Sequence, residues 1–326
     1  MLPDKGAISF DSFGGRVASF LVPDRNGHLG DVVLGPLNQG DSRLDRTFMG
    51  AVVGRFAGRI AGASFAIDGT RYQLAPNSGP NLLHGGADSF SHRDWNIVQA
   101  GAGNDRSIRF ALISADGDQG FPGAVSVRAS YRWDEGKSLQ LDIEADSTRP
   151  TPFNMTQHIY WNLGGPGAAD VCDRLLQIKA SHYLPIRADS VPTGEIRAVD
   201  GTAFDFCAPR SIGQCLSNRD EQIQLAQGID HCWVLEDEGF REVAALFHPP
   251  SGRKLTVLTD QGGLQVYTAN HFGDGPAGKG GAPYGRHAGI ALETQAFPNA
   301  PNQPDWPDTI LRPGMTYRSR TLFAFS

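Results

Sequence analysis

The sequence has little cysteine, no excess of positive charge and no long apolar run, and each shortage closes a class of function. Four cysteines occur in 326 residues, Cys172, Cys207, Cys215 and Cys232. None forms a C-x-x-C pair and none has a zinc-site spacing with histidine, so the expectation is reduced thiols with buried packing roles in a cytoplasmic protein. The formal net charge is −6, which gives no basic field to hold a phosphate backbone and sets nucleic acid aside as a partner. No stretch approaches the roughly 18 apolar residues that span a bilayer, and Met1 to Phe10 lack the basic and apolar regions of a signal peptide, so no membrane partner is expected. Helical periodicity is scarce too. No amphipathic helix of three or more turns stands out, and 209–225 has room for one short helix.

What is present is a pattern of many short strands. Glycine (40) and proline (21) are spread along the whole chain, as turns between strands require. Val125, Val127, Ala129, Tyr131 and Trp133 alternate with Ser126, Arg128, Ser130 and Arg132. Leu139, Leu141, Ile143 and Ala145 alternate with Gln140, Asp142 and Glu144, and Asp134-Glu135-Gly136-Lys137 between them has hairpin-turn composition. Further strands are expected at 16–22, 63–68, 71–74, 107–113, 175–181, 243–248, 254–259, 263–269, 289–296 and 316–325. The fold class is therefore all-β, a large antiparallel β-sandwich, with 1–326 read as one domain. The glycine-rich stretch 271–288 stands apart, as a mobile surface loop or as a rim that orders over a ligand.

Polar clusters interrupt the strands. Alternation over 153–162 puts Asn154, Thr156, His158, Tyr160 and Asn162 on one face, which reads as a wet cleft wall or solvent-facing surface because such groups are costly to bury unpartnered. Over 289–297, Ala291, Glu293 and Gln295 share the face opposite Ile290 and Leu292. Gln265 faces away from Leu264 and Val266. His84 precedes Gly85 and Gly86, and Asp230 with His231 precedes an apolar strand start. Each has a plain structural alternative: a hydrogen-bonded strand histidine, a solvent-facing carboxylate, a turn cap, a turn aspartate. Arg55 and Arg59 could be a solvated pair.

Taken together, these segments resemble the aldose 1-epimerase (galactose mutarotase) family. The resemblance runs from about Phe10 to Phe325 and is carried by V-P-D-R-N-G-H-L-G-D-V-V-L-G at 22–35, G-A-V-V-G-R-F-A-G-R-I-A at 50–61, N-S-G-P-N-L-L-H-G-G at 77–86, F-N-M-T-Q-H-I-Y-W-N-L-G-G at 153–165, G-I-D-H at 228–231, L-Q-V-Y-T-A-N at 264–270 and G-I-A-L-E-T-Q-A-F-P-N-A-P-N-Q at 289–303. It implies a β-sandwich with a broad sugar cleft, Glu293 as general base, His158 as general acid, and His84, Arg59, Asp230 and Gln265 as sugar-binding residues. Two positions depart from the common pattern, Gly58 and Cys232, where many relatives carry asparagine; these bear on substrate preference.

The implied reaction interconverts the α and β anomers of a free aldose such as galactose or glucose. A base takes the O1 proton, an acid protonates ring O5, the ring opens, and closure on the other carbonyl face reverses both transfers. No redox step or leaving group is involved, so no cofactor or metal is expected. The expected working state is ionised Glu293 with protonated His158, the carboxylate raising the histidine pKa and extending activity toward neutral pH. An aromatic such as Trp161 or Phe297 could pack on the sugar. The competing functions are a non-catalytic sugar-binding or sensing protein, a glycosidase using Asp230 and Glu293, and a hexose-phosphate epimerase, for which Arg55 and Arg59 are the available cations.

Overall fold

The structure, a computed structural model, describes residues 7–101, 105–165, 167–273 and 277–326. Two antiparallel sheets dominate it. The larger has nine strands in the order Arg210–Ser211, Leu175–Ile178, Arg241–Phe247, Lys254–Thr259, Thr316–Phe325, Ser138–Ser147, Val125–Asp134, Ser107–Ser114 and Asn96–Ala100. The smaller has six, Tyr160–Trp161, Ile290–Gln295, Gly263–Tyr267, Asp230–Val234, His182–Leu184 and Arg197–Ala198. Their facing residues share one apolar core. Val127, Ala129, Tyr131, Leu141, Val257 and Phe323 come from the large sheet, and Trp161, Trp233, Leu264, Val266, Ile290 and Leu292 from the small one. The β-sandwich expectation holds.

Alternation located the strands well where one face is wet. Val125–Asp134 runs buried and exposed in turn, and its hairpin to Ser138–Ser147 closes with Lys137 N–H donating to Asp134 O. The helical expectation was low by one: 209–225 and its neighbour carry two short helices, Ile212–Leu216 and Glu221–Ala226, the second capped by Asp220 accepting from the Gln222 amide at 2.8 Å. Among the described residues no helix is long and apolar enough to cross a membrane.

Three expectations are corrected. Segment 153–162 is not a continuous strand with a wet face. Thr156–Gln157 pairs with Val52 and Val53, whereas Tyr160–Trp161 pairs with Ile290 and Ala291, and every residue of 153–162 is buried. Of its polar groups, Asn154 donates to Ala57 O and Ala296 O and Asn162 to Ala288 O, while His158 and Tyr160 face a hollow, as a cleft wall does. Arg55 and Arg59 are not a solvated pair, because Arg55 is buried and donates to the carbonyls of Pro122, Gly123 and Ala115. All four cysteines are free as expected, but Cys207 is exposed and Cys172 half-buried, so only Cys215 and Cys232 pack inside.

Of the glycine-rich stretch 271–288, residues 274–276 lie outside the described residues. The part beyond them is fastened down. Lys279 Nζ meets Asp31 Oδ2 at 2.6 Å and Val33 O at 2.7 Å, and the Tyr284 hydroxyl donates to Gly35 O at 3.0 Å.

Candidate active site

The smaller sheet shows one face to the core and the other to a hollow of about 240 Å³. Its register fixes the floor. Cys232 lies beside Gln265 and Gln265 beside Glu293, while Asp230, Tyr267, Ala291 and Tyr160 form the adjoining row. Neighbouring strands sit ~4.8 Å apart, so a small molecule in the hollow would meet two or three of these side chains at once. Over the floor stand Arg59 and His84, brought together because Arg59–Ile60 pairs with Leu82–Leu83. The six expected residues, Glu293, His158, His84, Arg59, Asp230 and Gln265, all line this one hollow.

His158 and Glu293 face each other, Nε2 to Oε1, at 3.5 Å, with side chains 4% and 2% exposed. Neither has its remaining polar atom satisfied: His158 Nδ1 and Glu293 Oε2 are buried without a hydrogen-bond partner. Asp230 is held from two sides, by Gln265 Nε2 at 2.7 Å and Arg59 Nη1 at 3.5 Å.

The expected rise of the histidine pKa is overturned. Burial dominates at both groups: it brings His158 down to about 4 and pushes Glu293 well above the usual carboxylate range, with the Asp230 charge adding to the latter. Burial therefore favours uncharged imidazole and carboxylic acid over the ion pair. The two states hold the same single proton, placed differently.

Several contributors were not foreseen. Phe48 stands over three imidazoles, with ring centroids 4.7 Å from His84, 5.3 Å from His92 and 5.9 Å from His158. Its backbone is left-handed (φ 63°), and the loop carrying it hangs on buried Asp45, which accepts from the amides of Thr47 (2.7 Å) and Met49 (2.8 Å) and from Arg16 Nη1 (2.7 Å). Tyr160, Tyr267 and Phe272 supply the other aromatic surface. Trp161 and Phe297, the aromatics suggested for sugar packing, belong instead to the interior, Trp161 against Phe323 and Phe325, Phe297 against Trp306. Both departures from the family pattern, Gly58 and Cys232, line the hollow.

His84 occupies a left-handed turn (φ 51°) followed by Gly85 and Gly86, both at positive φ. Its ring Nδ1 accepts from the Gly58 amide at 3.2 Å. A Cβ at Gly85 would collide with the Gly54 carbonyl oxygen, so the turn admits no side chain there. Gly85→Ala is expected to destabilise the protein by about 1–3 kcal/mol and to displace His84 from the hollow, the loss of stability being read by urea unfolding. His84, His158 and Glu293 also offer one ligand atom each within 4.8 Å of one another, the nearest approach to a metal-binding cluster among the described residues.

The chain matches known proteins along nearly its whole length. The family model described as aldose 1-epimerase matches residues 3–324. Galactose mutarotase of Sus scrofa is 39% identical over 324 residues, spanning 99% of this chain and 92% of its own length. Aldose 1-epimerase of Escherichia coli is 36% identical, spanning 98% and 91%. Among solved structures, an aldose epimerase homologue from C. elegans superposes with a TM-score of 0.91 at 27% identity, covering 99% of this chain and 96% of the other. Galactose 1-epimerase from Lactobacillus acidophilus superposes at 0.86 and 28% identity, covering 100% and 92%.

Proposed function

The chain belongs to the aldose 1-epimerase family and is an isomerase, and from that premise we propose that it interconverts the anomers of a free hexose such as galactose or glucose, with Glu293 and His158 as the proton-transferring pair. The supporting observation is their 3.5 Å approach at the wall of a hollow that also holds Arg59, Asp230, Gln265 and His84. The whole chain is read as one catalytic unit, since lining residues are drawn from Arg46 through Pro298.

In the proposed reaction Glu293 takes the proton from O1 while His158 gives one to ring O5. The C1–O5 bond breaks and the aldehyde forms. Rotation about C1–C2 turns the other carbonyl face, and closure returns both protons to their owners. Opening thus converts the ion pair into the neutral pair. Burial disfavours both charges, so the ion pair that begins the opening is the less populated arrangement and the neutral pair left beside the open aldehyde is the stable one. Asp230, gripped by Gln265 and Arg59, offers the ring hydroxyls fixed hydrogen-bond partners, and the aromatic rings cover its C–H surface.

The pH dependence follows from the sign of the shifts. A second proton blocks the pair only when neutral His158 is protonated, near pH 4. The last proton leaves only above the ordinary carboxylate range. The plateau of kcat/KM is therefore expected to reach from about pH 4 to above the ordinary carboxylate range. An acid limb close to the unperturbed histidine value of about 6.5 would contradict this account. The activity itself is tested by polarimetry on a panel of freshly dissolved aldoses. Accelerated relaxation of optical rotation is the expected result, and tight sugar binding without acceleration would point to the non-catalytic reading.

A further inference from the structure

We propose that His84 is a permanently uncharged hydrogen-bond donor, fixed as its Nε2–H tautomer by the Gly58 amide, which presents that N–H to a sugar oxygen and takes no part in the proton exchange. The proposal rests on the aldose reading of the cavity and assigns a chemical state to one of its residues.

An amide N–H only donates. Gly58 N–H lies 3.2 Å from His84 Nδ1, so that nitrogen presents a lone pair, and in a neutral imidazole the proton then resides on Nε2. Protonating the ring would set one N–H against another. The two residues are tied a second time, His84 N–H donating to Gly58 O at 3.1 Å, so neither can swing away alone. Gly58 itself is confined: a Cβ there would lie 2.8 Å from Pro298 Cβ. The ring is wedged edge-on against Phe48 and, at 85°, against His158, with centroids 5.4 Å apart. Burial and the neighbouring His158 and Arg59 also disfavour a charge on it.

The same tautomer settles what the three-residue cluster is for. A metal-bound histidine ordinarily donates its second ring N–H to an acceptor. At His84 the polarity is reversed, and a cation would need the lone pair of the nitrogen that carries the proton. The cluster is thus a donor beside an exchanging pair rather than a ligand set. Whatever faces His84 must offer a lone pair, as a ring oxygen or a hydroxyl does. Only His158 and Glu293 change state during turnover.

The test is long-range 1H–15N correlation on the 15N-histidine-labelled wild-type protein, with the His84 signals identified by their loss in His84→Gln. The expected pattern is an unprotonated Nδ1 and a protonated Nε2 that persist from about pH 5 to pH 8. An Nδ1–H tautomer, or a titration midpoint in that window, would overturn the proposal. The second arm is kinetic. Glutamine restores an uncharged donor and phenylalanine does not, so His84→Gln is expected to retain about tenfold more kcat/KM than His84→Phe. Equal losses would remove the donor role. The spectroscopic arm involves no sugar, so it fails or succeeds independently of the mutarotation assay.

Discussion

Glu293→Gln is expected to lower kcat by about 10²–10⁴-fold while leaving the fold intact, because glutamine keeps the size of the buried side chain and removes its ability to take a proton. His158→Asn should cost a comparable factor. The informative measurement is the double variant. Two groups whose proton transfers at O1 and O5 are coupled through one substrate act as a unit, so removing both should be little worse than removing one. Polarimetry and single-turnover rates would show this; multiplication of the two losses would mean that the groups work independently, and near wild-type kcat in either single variant would take that residue out of the mechanism. Since burial favours the protonated form of Glu293, glutamine mimics that neutral form closely. Thermal unfolding of Glu293→Gln should accordingly match or exceed wild type.

Asp45→Ala should be the most destabilising of the substitutions considered, by about 3–5 kcal/mol, because it leaves the Arg16 charge uncompensated in the interior. Side-chain exposures of 2% and 0% for the pair allow no water to take over. The loss extends beyond one ion pair, since the Thr47 and Met49 amides also lose their acceptor. The loop that carries Phe48, and whose Thr47 carbonyl receives the Tyr160 hydroxyl at 3.0 Å, should loosen with it. Although burial alone would raise the Asp45 pKa, Arg16 and Thr47 hold it below the ordinary value. Its stabilisation is therefore full above the unfolded value of about 4 and disappears as pH falls through the depressed folded value. Urea midpoints at neutral and acidic pH measure both effects. An Arg16→Met, Asp45→Leu double variant, which removes both charges, should recover a large part of the stability; if it is no better than Asp45→Ala alone, the lost charge balance is not the cause.

The strands were legible where the chain separates water from core. Ser138–Ser147 alternates because its inward residues meet Trp161 and Phe323 and its outward ones meet solvent. Segment 153–162 misled for the converse reason. It is buried along its whole length, so Asn154 and Asn162 report backbone partners while His158 and Tyr160 line the hollow. The positions of Glu293 and Gln265 on the polar side of their strands were readable from parity alone, and the register bears that parity out. The convergence of six residues on one hollow came from resemblance, since residues 59, 84, 158, 230, 265 and 293 are brought together only by cross-strand pairing. Phe48 left no local signal. Its place depends on Arg16 and Asp45, 29 positions apart. The protonation expectation failed because it weighed the charge partner and left out burial, which the sequence does not display.

The cross-strand rows described above have a consequence for how the cavity can diverge. A substitution at 232, 265 or 293 exchanges one lining group and leaves the others in place. A single inserted or deleted residue within Gly263–Tyr267 would instead invert that strand, turning Leu264 and Val266 toward the sugar and Gln265 into the apolar interior. New substrate preference is thus reachable through point replacements on the sheet and through length changes in the flanking loops, while length changes inside the strand erase the binding floor in one step.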